Sequence, residues 1–136
     1  MVQIPSQPTI LLVDDDRFSL IILRTILSAN YYPLLANNAD EALSMLESRS
    51  DISIVLTDYC MPRMHGDELC AIIREQYPDI ALVMMSTGES GQVRADAMGI
   101  SFIQKPYGSE NIIATLDSAL TKDSMQTAAQ TPSLSL

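Results

Sequence analysis

The feature that most constrains this chain is an alternation, repeated five times, of a short apolar run with a segment whose apolar residues recur at helical spacing. The runs are Thr9–Val13, Tyr32–Ala36, Ile52–Thr57, Ile80–Met85 and Ser101–Gln104. After the first, Leu20, Leu23 and Leu27 form a stripe that Ile22 and Ile26 widen, which predicts an amphipathic helix ending near Asn30. Asn38 and Glu41 form a helix-start pair ahead of Ala39, Ala42, Leu43 and Leu46. A Pro62 to Gly66 turn precedes a helix with Leu69, Ile72 and Ile73 inward, and Tyr77-Pro78-Asp79 closes it. A fourth helix over Gln92–Met98 stops at Gly99, and a fifth places Ile112, Leu116, Ala119 and Leu120 on one side. Strands that alternate with helices are joined by right-handed crossovers, so the expected fold class is α/β: a doubly wound parallel sheet of five strands covered on both faces by five helices.

Sites in such sheets lie at the carboxyl ends of the strands. Here strands one, three, four and five end at Asp14/Asp15, Asp58, Ser86 and Lys105, so residues distant in sequence converge on one edge. Three carboxylates packed together repel one another and push at least one toward protonation, a penalty that a hard divalent cation removes. Carboxylate oxygens with room left for water and substrate suit Mg2+, with Mn2+ the other candidate, far better than Zn2+. One carboxylate is then free to act as a nucleophile toward phosphorus, while the cation and Lys105 neutralise the transferring oxygens.

Composition narrows the partners. The chain has 136 residues, a net charge of -9 and a pI near 4.3, so it repels phosphate backbones and anionic membranes; neither direct nucleic-acid nor membrane binding is expected. No apolar stretch approaches the roughly 20 residues needed to span a bilayer and no signal pattern opens the chain, so a cytoplasmic location is expected. Cys60 and Cys70, with no Cys/His cluster beside them, fit a reducing compartment. The expected division is a lead-in over residues 1–8, a domain over 9–121 and a flexible tail or linker start over 122–136. The methionines, Met84 and Met85 among them, read as core filler, and His65 as a solvent-exposed loop residue.

Four blocks in order carry a resemblance: Leu11-Leu12-Val13-Asp14-Asp15-Asp16; Leu56-Thr57-Asp58-Tyr59-Cys60-Met61-Pro62-Arg63-Met64-His65-Gly66; Val83-Met84-Met85-Ser86-Thr87; and Gln104-Lys105-Pro106. Over about residues 9–120 the chain resembles the response-regulator receiver family of two-component signalling. That resemblance implies a flavodoxin-like sheet of strand order 2-1-3-4-5, and a cis peptide between Lys105 and Pro106. It implies Asp58 as the phosphoacceptor, Asp15 as a direct Mg2+ ligand, Asp14 as an acidic neighbour acting largely through water, and the Cys60 backbone carbonyl as a further metal contact. Asp16 is left out of the site. Ser86 corresponds to the hydroxyl that moves to bond the phosphoryl oxygen, Lys105 pairs with that oxygen and the acceptor, and Phe102 occupies the aromatic switch position. The departures lie together. The segment from Ser86 to Lys105 is about three residues shorter than is common, so helix four is expected to be short or irregular after a mobile Thr87–Gly91 loop, and Thr87 stands where a small alanine is common.

The primary functional reading is a phosphorylation-dependent signalling switch and not a turnover enzyme. A histidine kinase or histidine phosphotransfer protein donates to Asp58 with Mg2+, and the affinity of the helix 4, strand 5, helix 5 face for a downstream protein changes; a homodimer is one form that partner can take. No output domain is expected within these residues. The alternatives are a Mg2+-dependent aspartyl-phosphate phosphatase, which steady hydrolysis of small phosphomonoesters would reveal, and a structural dimerising receiver, which would not bind Mg2+.

Overall fold

The computed structural model describes the backbone of residues 7–133 and the side chains of residues 7–122. Of the expected lead-in and tail, residues 1–6 and 134–136 lie outside the described residues. In chain order the elements are β1 (Thr9–Val13), α1 (Arg17–Leu27), β2 (Tyr32–Ala36), α2 (Ala39–Ser48), β3 (Ile52–Asp58), α3 (Gly66–Gln76), β4 (Ala81–Ser86), α4 (Glu89–Met98), β5 (Ser101–Gln104) and α5 (Ser109–Ser133). The five strands pair in the order β2-β1-β3-β4-β5, every pair parallel. This is the doubly wound α/β sheet expected from the alternation, in the flavodoxin-like strand order that the resemblance implied.

Period-two patterning divides the core into two sides. Ile10, Leu12, Ile54, Leu56, Val83, Met85 and Ile103 point to the side covered by Leu20, Leu23 and Leu27 of α1 and Ile112, Leu116 and Ala119 of α5. Leu11, Val13 and Val55 point to the other, joined by Ile52 across a register shift at the start of the β1–β3 pairing, against Ala42 and Leu46 of α2 and Leu69 and Ile73 of α3. A smaller cluster of Cys70, Met84, Ala95 and Ile100 seats α4. Strands buried on both faces explain the near-continuous apolar runs, and each large side chain so buried contributes roughly 1.5–3 kcal/mol relative to exposure. Pro33 is confined to β2, an edge strand, where its missing N–H disturbs no inner ladder.

The helix boundaries have local causes. The Asp16 carboxylate caps α1 by accepting from the Phe18 amide at 3.0 Å and the Ser19 hydroxyl at 3.1 Å. Asn38 caps α2 by accepting from the Glu41 amide at 2.8 Å. Gly99 ends α4 at φ 68°, a left-handed conformation that glycine adopts freely.

Several details differ from the sequence reading. Helix α1 stops at Leu27, because the Asn30 and Tyr31 amides both turn back onto the Leu27 carbonyl, at 3.0 and 2.9 Å. Ile22 does not widen the buried stripe; it is 53% exposed, and Ile26 is half-buried. On α3 the inward position falls to Cys70, with Ile72 half-buried. Strand β4 runs Ala81–Ser86, one residue later than expected, because the Ile80 amide is held in a turn by the Tyr77 carbonyl. Helix α4 is neither short nor irregular: it is a ten-residue α-helix that begins at Glu89, so the expected mobile loop shrinks to Thr87 and Gly88, with Ser90 and Gly91 inside the first turn. Helix α5 continues through Ser133 into the segment expected as a tail.

Candidate functional site

The parallel order places the carboxyl ends of β1, β3, β4 and β5 side by side, and their last residues meet there. Asp14, Asp15 and Asp58 each offer a carboxylate oxygen within 4.8 Å of the others'. Asp14 and Asp58 are buried while Asp15 is exposed, so the cluster has one wet side. The Asp14 carboxylate is held by the Asp16 amide, which donates to it at 2.9 Å. Lys105 reaches in from the end of β5, with its Nζ 3.4 Å from Asp14 Oδ2 and 3.2 Å from Asp58 Oδ1.

One ammonium does not balance this charge. Burial pushes the Asp58 carboxyl above its ordinary range; Lys105 draws it back, but Asp14 and Asp15 add to the rise. Asp14 is raised by the same burial, against the pull of the Asp16 amide and Lys105. Burial works against the charge on Lys105, yet the two carboxylates outweigh it and leave its pKa raised. A site with surplus negative charge, oxygen donors only and an open side is chemically matched to a hard divalent cation.

The turn after β3 is tied to this cluster. The Gly66 amide donates to the Tyr59 carbonyl at 2.8 Å, closing Tyr59–Gly66 over the end of the strand. A Cβ at Gly66 would sit 2.3 Å from the Asp58 carbonyl oxygen, so only glycine permits this approach. Met61 is buried beneath the turn, and Cys60 is exposed on it with a free thiol. His65 is exposed, as expected, and its ring stacks on Tyr59 with centroids 5.7 Å apart.

Across the cluster, the buried Ser86 ends β4, and its Oγ accepts a long hydrogen bond of 3.4 Å from the Gly88 amide. The segment is clamped from β5: the Lys105 amide donates to the Ser86 carbonyl at 2.9 Å, and Gln104 Nε2 to the Thr87 carbonyl at 2.7 Å. Phe102 is half-buried and packs against the cluster of Cys70, Met84, Ala95 and Ile100. The Lys105–Pro106 peptide is cis. Asp14, Asp15, Asp58, Ser86 and Lys105 thus meet at this edge, with Phe102 two residues below Gln104 on β5, while Gly66, Gly91 and Gln104 were not given roles there. The first is signalled by its place in the Met-Pro-x-Met-x-Gly stretch; the contacts of the other two depend on how α4 sits, which no local pattern encodes.

A doubly wound sheet whose strand ends gather an acidic cluster, a hydroxyl and a lysine belongs to the class of α/β proteins that carry their sites at the carboxyl edge of the sheet. The comparisons agree with it. The model of the response regulator receiver domain family matches residues 10–117, and the chain belongs to that family. Response regulator MprA of Mycobacterium tuberculosis is 34% identical over 125 residues, covering 89% of this chain and 54% of that protein. The chain therefore spans about half the length of the curated relatives it matches. Among solved structures, the signal receiver domain of an HD domain-containing protein from Pseudomonas fluorescens Pf-5 is 29% identical with a TM-score of 0.80, covering 88% of this chain and 98% of that one. NtrX from Brucella abortus is 27% identical with a TM-score of 0.84, covering 91% of this chain and 29% of that one. The chain is thus a response regulator receiver domain of two-component signalling, a family of signalling switches whose members interact with histidine kinases. Among the described residues no helix is long and apolar enough to cross a membrane.

Proposed function

We propose that this receiver takes a phosphoryl group onto Asp58 from a phosphohistidine and thereby changes its affinity for a downstream protein. The observation that supports this best is the surplus charge at the sheet edge: three carboxylates within reach of one cation, with Lys105 bridging the two buried ones. Asp14, Asp15, Asp58 and the Cys60 backbone carbonyl would hold Mg2+, or Mn2+ in its place. The bound cation supplies neutralisation of the phosphoryl oxygens during transfer. An Asp58 oxygen attacks phosphorus as the bond to the donor imidazole nitrogen breaks, and that nitrogen leaves with the electron pair and takes a proton. Lys105, already 3.2 Å from Asp58, exchanges part of its carboxylate contact for a phosphoryl oxygen. Ser86 Oγ, whose present bond is long, turns to donate to another phosphoryl oxygen, and the Phe102 ring follows into the space released.

A protein donor finds a landing place beside this edge. On α1, which starts immediately after the acidic residues, Phe18, Ile21 and Ile22 are 76%, 41% and 53% exposed at helical spacing. That face suits the apolar stripe of a helical histidine-bearing kinase or phosphotransfer domain. The output face is that of α4, β5 and α5, where Phe102 and the first turn of α4 meet.

The test is incubation with Mg2+ and acetyl phosphate, with mass measured for the wild type and Asp58→Ala. A single labile phosphate adduct, dependent on Mg2+ and absent from the variant, is the expected result. A wild type without an adduct overturns the acceptor assignment.

A further inference from the structure

The two-residue β4–α4 connection, Thr87 and Gly88, sets the first turn of α4 on the switch residues themselves, and the contact is made by a glycine. Gly91 is the third residue of α4 and is buried. A Cβ at this position would lie 2.7 Å from Ser86 Cβ, 3.2 Å from Ser86 Oγ and 3.2 Å from Phe102 Cε1. The sheet register explains the convergence. Met84 pairs with Phe102 and Ser86 with Gln104, so Ser86 and Phe102 stand two residues apart along the ladder, beneath the same turn of α4. Gly88, the residue that caps α4, supplies the amide that now holds Ser86 Oγ at 3.4 Å. Helix, hydroxyl and ring thus pack closely enough to leave no room for a side chain at position 91.

Resting on the phosphoacceptor reading above, we infer that Gly91 is a positioning residue: its missing side chain lets α4 lock Ser86 and Phe102 in the unphosphorylated arrangement, so α4 itself registers the rotation of Ser86. Ser86 Cβ is fixed to the strand and cannot yield by changing rotamer, so a methyl group at position 91 must lift the first turn of α4. Lifting it carries the Gly88 amide away from Ser86 Oγ and frees the hydroxyl for a phosphoryl oxygen. A restraint that holds the resting state lowers apparent affinity for anything that binds the switched state, and removing it raises that affinity by the factor by which the competent population grows.

The chain contains only two phenylalanines, Phe18 and Phe102, which makes the test direct. Protein labelled with 4-fluorophenylalanine gives two fluorine resonances, with the exposed Phe18 as internal reference. Gly91→Ala is expected to shift the Phe102 resonance without any ligand, toward its position in wild type saturated with Mg2+ and beryllium fluoride. It should also bind beryllium fluoride severalfold more tightly. Ser90→Ala, at an exposed neighbouring position of the same turn, should do neither, although both changes raise helix propensity. An unshifted Phe102 with unchanged affinity in Gly91→Ala overturns the inference while leaving Asp58 chemistry intact. A wild type that binds no beryllium fluoride overturns the phosphoacceptor reading, and the ligand-free Phe102 shift still decides whether Gly91 couples to the ring. Should Gly91→Ala fail to fold, Ser86→Gly with Gly91→Ala restores the missing space: recovery of the fold supports the contact, and a double variant no better than the single overturns it.

Discussion

Lys105 is the one cation between two buried carboxylates, at 3.4 Å from Asp14 and 3.2 Å from Asp58, and it shapes the energetics of every state of the site. Replacing it by methionine leaves two like charges facing each other with only part of their hydration. The expected loss is on the order of 2 kcal/mol at neutral pH, partly restored by Mg2+, and urea denaturation with and without the metal measures it. Asp58→Asn acts in the opposite direction. Burial raises the Asp58 carboxyl above its ordinary value of 3.8, so the folded chain binds this proton more tightly than the unfolded chain does. The stability it contributes is therefore present below that ordinary value and lost as pH rises through the raised folded one. Above the folded value the ionised group is a net burden, and the amide, uncharged and of the same shape, relieves it while Lys105 keeps its contact with Asp14. In metal-free buffer the variant should be more stable than wild type at pH 7, by at most about 1.4 kcal/mol for each unit of upward shift. The advantage should shrink as pH falls toward 4. A variant less stable than wild type at pH 7 would show that the pairing with Lys105 outweighs burial.

At the scale of elements, the turn from β3 into α3 shows how a backbone constraint becomes a functional one. A methyl group at Gly66 would press on the Asp58 carbonyl oxygen and the Tyr59 backbone, neither of which can rotate away. Gly66→Ala should lower stability by about 1–3 kcal/mol and slow phosphorylation by acetyl phosphate, since the strand end carrying the acceptor must shift. Denaturant midpoints and adduct formation followed by mass check both. This turn was legible in the sequence because a short motif encodes it. So were the strand ends: an apolar run that stops at Asp14, Asp58, Ser86 or Lys105 marks where the sheet meets water, and the parallel order brings those marks together. Helix α4 was less legible. Its apolar residues form no stripe, because the buried positions are filled by Gly91 and Ala95, and small residues that allow close approach resemble breakers when read along the chain. Ile22 failed for a different reason: at 3.6 residues per turn it points roughly 130° away from the centre of the Leu20, Leu23 and Leu27 stripe, which leaves it in water.

Taken as a whole, the molecule is strongly acidic, with a net charge of -9, yet its few cations are not scattered evenly. Arg49, Arg63, Arg94 and Lys105 are engaged with carboxylates. Arg17 and Arg24 of α1, like Arg74 of α3, make no ion pair among the described residues, and the two on α1 share their helix with the exposed Phe18, Ile21 and Ile22. An acidic body repels an acidic partner except where cations stay available, and α1 joins such cations to exposed apolar side chains, which suits an apolar helix with acidic flanks. Small phosphodonors need no such surface and reach Asp58 by diffusion alone. The two routes should therefore separate. Phe18→Ser and Ile22→Ser should slow phosphotransfer from a phosphorylated histidine-containing protein by about tenfold each, the loss usual for a central apolar anchor, while leaving the rate with acetyl phosphate unchanged. Thermal stability should hold or rise slightly, because both side chains already lie in water. Equal slowing with both donors would place the effect inside the acidic site, and unchanged transfer from the protein donor would move its docking surface off α1.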